Sequence, residues 1–79
     1  MTKAERLARR ICRATYDEIG DNRLMWCTLR TIEQRLALTD SKATNAAVVF
    51  AVGKDWLAVD TLPAGAVRLK EAGRQMLTF

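Results

Sequence analysis

Histidine is absent from these 79 residues, serine and proline each occur once, and the four glycines are scattered. Without histidine the chain lacks the side chain that most often serves as a general base at neutral pH and as a metal ligand. The only serine, Ser41, falls where a helix needs a cap, and no glycine-rich loop is present to cradle a phosphate. Asp17 and Glu18 are adjacent carboxylates, but neighbours on a helix diverge by about 100°, so they should not converge on one substrate. The expectation is a protein that binds and does not catalyse, with no cofactor and no metal site.

Long apolar runs are missing too. Nothing approaches the roughly 18 residues needed to cross a bilayer, and the first residues have no apolar stretch of the signal-peptide kind. A cytoplasmic location with no membrane partner follows as the expectation. Two cysteines, Cys12 and Cys27, are too few and too far apart for a metal-ligand pair or a disulfide framework. They read as buried free thiols, a single disulfide between them being the alternative.

What is present suits a small globular protein. Hydrophobic residues make up 49% and charged residues 28%, and the length allows one domain over residues 1–79. The net charge of +4 is unevenly spread: Lys3, Arg6, Arg9, Arg10 and Arg13 face only Glu5 within the first fourteen residues, and the remainder is neutral. A basic field of this kind favours anionic partners such as nucleic acid, although it also serves solubility.

Thr2 and Glu5 form a capping box, which predicts a helix start. Winding onward puts Ala4, Leu7, Ala8, Ile11, Cys12, Ala14 and Ile19 on one face and the five basic residues opposite. Gly20 stops the helix, and Asp21 and Asn22 suit a turn. Leu24-Met25-Trp26-Cys27 reads as a short strand or extended segment, followed by a helix capped by Thr28 with Leu29, Ile32 and Leu36 on its buried stripe. Asp40 or Ser41 caps a third helix over about residues 41–54, weakly amphipathic, with Thr44, Ala47, Val48 and Ala51 as its buried side. Trp56-Leu57-Ala58-Val59 and Ala66-Val67-Arg68-Leu69 form a hairpin around the turn-rich stretch 60–65, which contains Pro63. Glu71 to Leu77 predicts a short last helix. Trp26 and Trp56 both read as aromatics packed in the core or hairpin, exposed stacking platforms being the alternative, and Phe79 as a cover for the core or an interface residue.

This order of elements, with Val67-Arg68-Leu69-Lys70-Glu71-Ala72-Gly73-Arg74 leading from the last strand into a helix, resembles the bacterial winged helix-turn-helix superfamily. The resemblance spans roughly the whole chain. It implies an α+β, mostly α fold: a three-helix core, a short strand plus a β-hairpin wing, and a short C-terminal helix. It also implies a DNA-binding regulator whose third helix enters the major groove of double-stranded DNA. Two departures stand out: Asp55 replaces the glycine usual after the third helix, and Lys70 replaces a hydroxyl cap.

Under that resemblance, Lys42, Ala43, Asn45, Ala46 and Val49 are exposed on the third helix. Asn45 suits an adenine edge, Lys42 a phosphate or guanine, and Ala46 and Val49 thymine methyls. Ser41 and Thr28, at the two helix starts, join the expected contacts. Arg30, beside the free amides of the second helix, suits a phosphate. Arg68 points outward for a wing contact, although the wing tip itself holds no Lys or Arg. The rival reading is a protein-interaction or dimerisation module on the same fold, using Ala46, Val49 and Phe50, with a homodimer or another protein as partner. The basic stripe is read as a solvated face or an auxiliary phosphate contact.

Overall fold

In the computed structural model, which describes residues 2–20, 22, 24–61 and 64–78, Thr2 opens the first helix as its spacing predicts. Its hydroxyl accepts from the Glu5 amide at 3.1 Å, and α1 runs over Lys3–Ile19. Gly20 ends it with φ 58° and ψ −130°, a conformation essentially restricted to glycine. Ala8, Ile11, Cys12, Ala14 and Ile19 are buried on the expected face, while Leu7 and Ala4 are half-buried. Thr15 is also buried, and its hydroxyl donates back to the Ile11 carbonyl at 2.7 Å.

The remaining elements are β1 (Cys27–Thr28), α2 (Leu29–Leu36), α3 (Ser41–Gly53), β2 (Leu57–Val59), β3 (Ala66–Leu69) and α4 (Glu71–Leu77). The protein is thus α+β and mostly helical, with four helices and one three-stranded antiparallel sheet of order β1-β3-β2 among the described residues. Thr28 caps α2 by accepting from the Thr31 amide at 3.4 Å. For α3 the cap is Asp40, whose carboxylate takes the Lys42 and Ala43 amides at 3.0 and 3.2 Å, leaving Ser41 as the first helical residue.

One core joins every layer. Ile11, Ile32, Val48, Leu57, Val67 and Leu69 are its largest sealed apolar side chains. Thr44, Ala47, Val48 and Ala51 are the buried side of α3, as their spacing predicts. Both α2 and α3 pack mainly on α1, and much less on one another. The reason is size: α2 is two turns long, and its fully buried side chains are Leu29 and Ile32.

Two expectations are corrected by the sheet. The predicted strand over Leu24 to Cys27 shrinks to Cys27–Thr28, because only those residues pair with β3. Trp26 is not core: it is 44% exposed, with the Arg68 guanidinium 5.6 Å from its ring, because it lies on the outer face of the sheet. Trp56 alone of the two is buried. The expectations for Asp21, Pro63 and Phe79 lie outside the described residues.

Among the described residues, two non-glycine residues adopt positive φ, Ala37 (54°) and Asp55 (64°). Asp55 sits where the resemblance expects glycine, and an aspartate tolerates this region better than most. Alanine does not, since a left-handed L-residue costs roughly 1–2 kcal/mol. Ala37→Gly at this helix end is therefore expected to raise stability by about 0.5–1 kcal/mol after the flexibility glycine adds to the unfolded chain. A urea unfolding curve checks it, and a lowered midpoint would show that α2 does not end in this conformation.

Candidate nucleic-acid interface

The second helix and the hairpin meet at one backbone bond: the Leu29 amide donates to the Gly65 carbonyl at 3.0 Å, beside the Thr28–Ala66 strand pair. The hairpin base is thereby tied to the first turn of α2, which carries the exposed Arg30. Thr28 is exposed as well. Its hydroxyl caps Thr31 and shares a 2.7 Å hydrogen bond with the Thr31 hydroxyl, so its first role is structural.

On α3, Ser41, Lys42, Asn45, Ala46 and Val49 are all exposed, and Val49 keeps 57% of its surface. Helix geometry divides them. Lys42, Asn45 and Val49 stand along the outward side at steps of three and four, and no carboxylate occurs within Ser41–Gly53. Ala43 and Ala46 instead line a cleft shared with α1. Phe50 departs from the expected exposed face: it is half-buried, with its ring 5.8 Å from that of Trp56 and Lys54 above it. The α3 amides are already taken by Asp40, so this helix start offers no anion site.

Arg68 lies on the central strand β3, in register with Ala58 and over Trp26. Its guanidinium is thus held on the outer sheet face. The loop that follows β2 is organised by Asp60, whose Oδ1 accepts from the Thr61, Gly65 and Ala66 amides at 2.8, 3.0 and 2.9 Å. These bonds, that from Ala66 first, hold the Asp60 carboxyl below its ordinary range. A lowered pKa contributes order that is present above the ordinary aspartate range and lost as pH falls through the folded value. Asp60→Ala is expected to speed exchange of the Gly65 and Ala66 amides roughly ten-fold at neutral pH, the scale of one modest hydrogen bond, while the Ile32 amide is unchanged. Hydrogen exchange followed by NMR checks this, and uniform protection in the variant would remove Asp60 as the organiser.

The basic stripe of α1 does not behave as one face. Arg9 turns inward, 5.3 Å from the Trp56 ring centre and 3.8 Å from the Glu5 carboxylate, because the indole offers an apolar surface with a negative face. Arg13 pairs with Asp17 at 3.6 Å. Lys3, Arg6 and Arg10 remain on the surface beside the cleft. Asp17 and Glu18 share a partner: Arg35 of α2 reaches Glu18 at 2.5 Å and Asp17 at 3.8 Å through different nitrogens. A long guanidinium from another helix bridges the 100° between them.

No protein-family model, curated protein or solved structure matches this chain. Its function must be read from its own surface. Among the described residues no group of three or more metal-binding side chains converges, and no helix is long and apolar enough to cross a membrane. Both cysteines are free and buried. Burial pushes the Cys12 thiol up to about 12 against the opposing pull of Arg9, and burial together with Glu18 raises that of Cys27. Neither is a thiolate at neutral pH, so neither is an available nucleophile.

Sequence reasoning missed Asp60, Arg35 and Arg74. Arg74 is only 7% exposed: Nη1 donates to the Gly20 carbonyl at 3.0 Å, and its guanidinium lies 5.5 Å from the Tyr16 ring centre, pinning α4 to α1. Asp60 alone left a signal, an aspartate opening a turn that contains a later glycine.

Proposed function

We propose that this protein is a winged helix-turn-helix domain that binds duplex DNA, with α3 in the major groove. The order of elements and the β1-β3-β2 sheet support the fold reading, since a short strand before α2 pairs with the hairpin that follows α3. The observation that carries the function is the outward side of α3. It is uncovered, free of carboxylates, and bears Lys42 and Asn45 one turn apart. Beside it in the chain, the first turn of α2 bears Arg30 and is bonded to the hairpin base. Asn45 suits an adenine edge, Lys42 and Arg30 suit phosphates, and Val49 suits a thymine methyl.

Few cations take part, so affinity should be modest and salt-dependent. A labelled 20-base-pair duplex titrated at 50 and 200 mM salt is expected to bind at least ten-fold more weakly at the higher concentration, in line with two or three neutralised phosphates. Arg30→Glu with Lys42→Glu should abolish binding at 50 mM. Absence of binding by the native chain at low salt, or salt-independent binding, would defeat the reading.

A second reading rests on Val49, 57% exposed and flanked by the uncharged Ala46. On it, α3 is a contact surface for another copy or another protein. Light scattering over a concentration series separates the two: association lost in Val49→Glu supports it, whereas a monomer indifferent to the change removes it.

A further inference from the structure

The cleft between α1 and α3 has a volume of about 590 Å³. Its apolar lining is Ala4 and Leu7 from α1, Leu38 from the α2–α3 connection, and Ala43 and Ala46 from α3. The two α3 alanines end at Cβ, which leaves the space between the helices open. Along its α1 side stand Lys3, Arg6 and Arg10.

These three cations differ from their neighbours. Arg9, Arg13, Arg35 and Lys70 each have a carboxylate within 4 Å. Among the described residues, none pairs with Lys3, Arg6 or Arg10, and no carboxylate lines the cleft. An apolar floor bordered by unpaired positive charge is complementary to a surface that is apolar in the middle and negative at its edge.

We propose that this cleft binds an acidic amphipathic segment of a partner protein, docked as a helix lengthways between α1 and α3. The spacing selects a peptide. Lys3, Arg6 and Arg10 follow steps of three and four along α1 and span about 10 Å, which matches carboxylates repeated at the same steps on a facing helix. A small amphiphile with one carboxylate would leave most of that row unanswered. A phosphate backbone would answer the charges but has no apolar groups to cover Leu7, Leu38, Ala43 and Ala46. The cleft lies beside the DNA-reading side of α3, with Ala43 about 160° from Asn45 but Ala46 only about 40° from Lys42 around the helix.

The test uses the full chain and a fluorescein-labelled 16-residue helical peptide, with leucines on one face and glutamates flanking them. A scrambled peptide of the same composition is the control. Arg6→Glu combined with Arg10→Glu is expected to weaken binding at least ten-fold, and Ala46→Trp, which fills the cleft without changing charge, at least five-fold. Arg30→Glu combined with Lys42→Glu makes the same charge change elsewhere and should alter peptide affinity less than three-fold while removing DNA binding. Amide shifts in ¹⁵N-labelled protein should centre on Leu7, Leu38, Ala43 and Ala46. No binding, equal binding of the scrambled peptide, or equal loss in both charge-reversed pairs overturns the proposal. So does competition by dodecanoate or by the duplex at the cleft, which would assign it to a small amphiphile or to nucleic acid. The DNA titration of Arg30→Glu with Lys42→Glu is scored separately, so either reading can fail without the other.

Discussion

Replacing Ile11 with alanine is expected to destabilise the protein by about 3–4 kcal/mol and to lower its melting temperature by about 15–25 °C. Ile11 is fully buried on the face by which α1 contacts the rest of the core. The truncation removes three carbons, roughly 2.4 kcal/mol at about 0.8 per buried methylene group. A further cost comes from the space left behind, because the buried faces of α1 itself and of α3 hold Ala8, Ala14, Ala47 and Ala51, whose side chains cannot reach into a void. For a chain of this length total stability is on the order of 4–12 kcal/mol, so one substitution removes roughly a quarter or more of it. Val49→Ala, on the exposed side of α3, should cost less than about 0.5 kcal/mol. Denaturant titration of both variants decides the point: a change below about 1 kcal/mol at Ile11 would mean that the helices do not meet there.

Gly73→Ala is expected to cost about 2 kcal/mol, even though alanine is the better helix former by about 1 kcal/mol. A Cβ on Gly73 would lie 2.5 Å from the Trp56 carbonyl oxygen and 2.7 Å from Leu69 Cδ1. The carbonyl cannot easily retreat, because it accepts the Lys70 amide at 2.8 Å, and Leu69 is itself only 1% exposed. Helix α4 would have to lift from the sheet, taking Arg74 from its bond to Gly20. Gly53 provides the contrast within α3: a Cβ there meets nothing within 4 Å, so Gly53→Ala should gain about 0.5–1 kcal/mol. Opposite signs at two helical glycines, measured by the same unfolding experiment, would show that close backbone approach and not propensity governs Gly73. A gain at both positions would remove that approach.

These effects also explain why some features were legible in the residues and others were not. The helix starts were readable because caps act within three residues: Thr2, Thr28 and Asp40 each bond amides of their own first turn. The buried side of α3 was readable from Thr44, Ala47, Val48 and Ala51 because one helix face keeps a fixed spacing. Trp26 misled because an apolar residue near a strand suggests a core, and only pairing register shows which sheet face it takes. Arg9 misled for a related reason: it lies on the basic side of α1 by spacing, yet the position of Trp56 draws its guanidinium inward.

For the candidate site, the exposed set Lys42, Asn45 and Val49 followed from the pattern of α3, as did the exposure of Arg30. Its division from Ala43 and Ala46 did not. That required the placement of α1, since the α1 and α3 residues that line the cleft are more than thirty positions apart in the chain.

Local chemistry in the amino-acid order determined where each helix begins, which side of it is apolar, and where the turns fall, since those choices depend on bonds and spacings within a few residues. The packing of distant elements decided which arginines have partners, which tryptophan is covered, and where an open cleft meets unpaired charge. Such properties depend on distances between groups that chain position leaves undetermined.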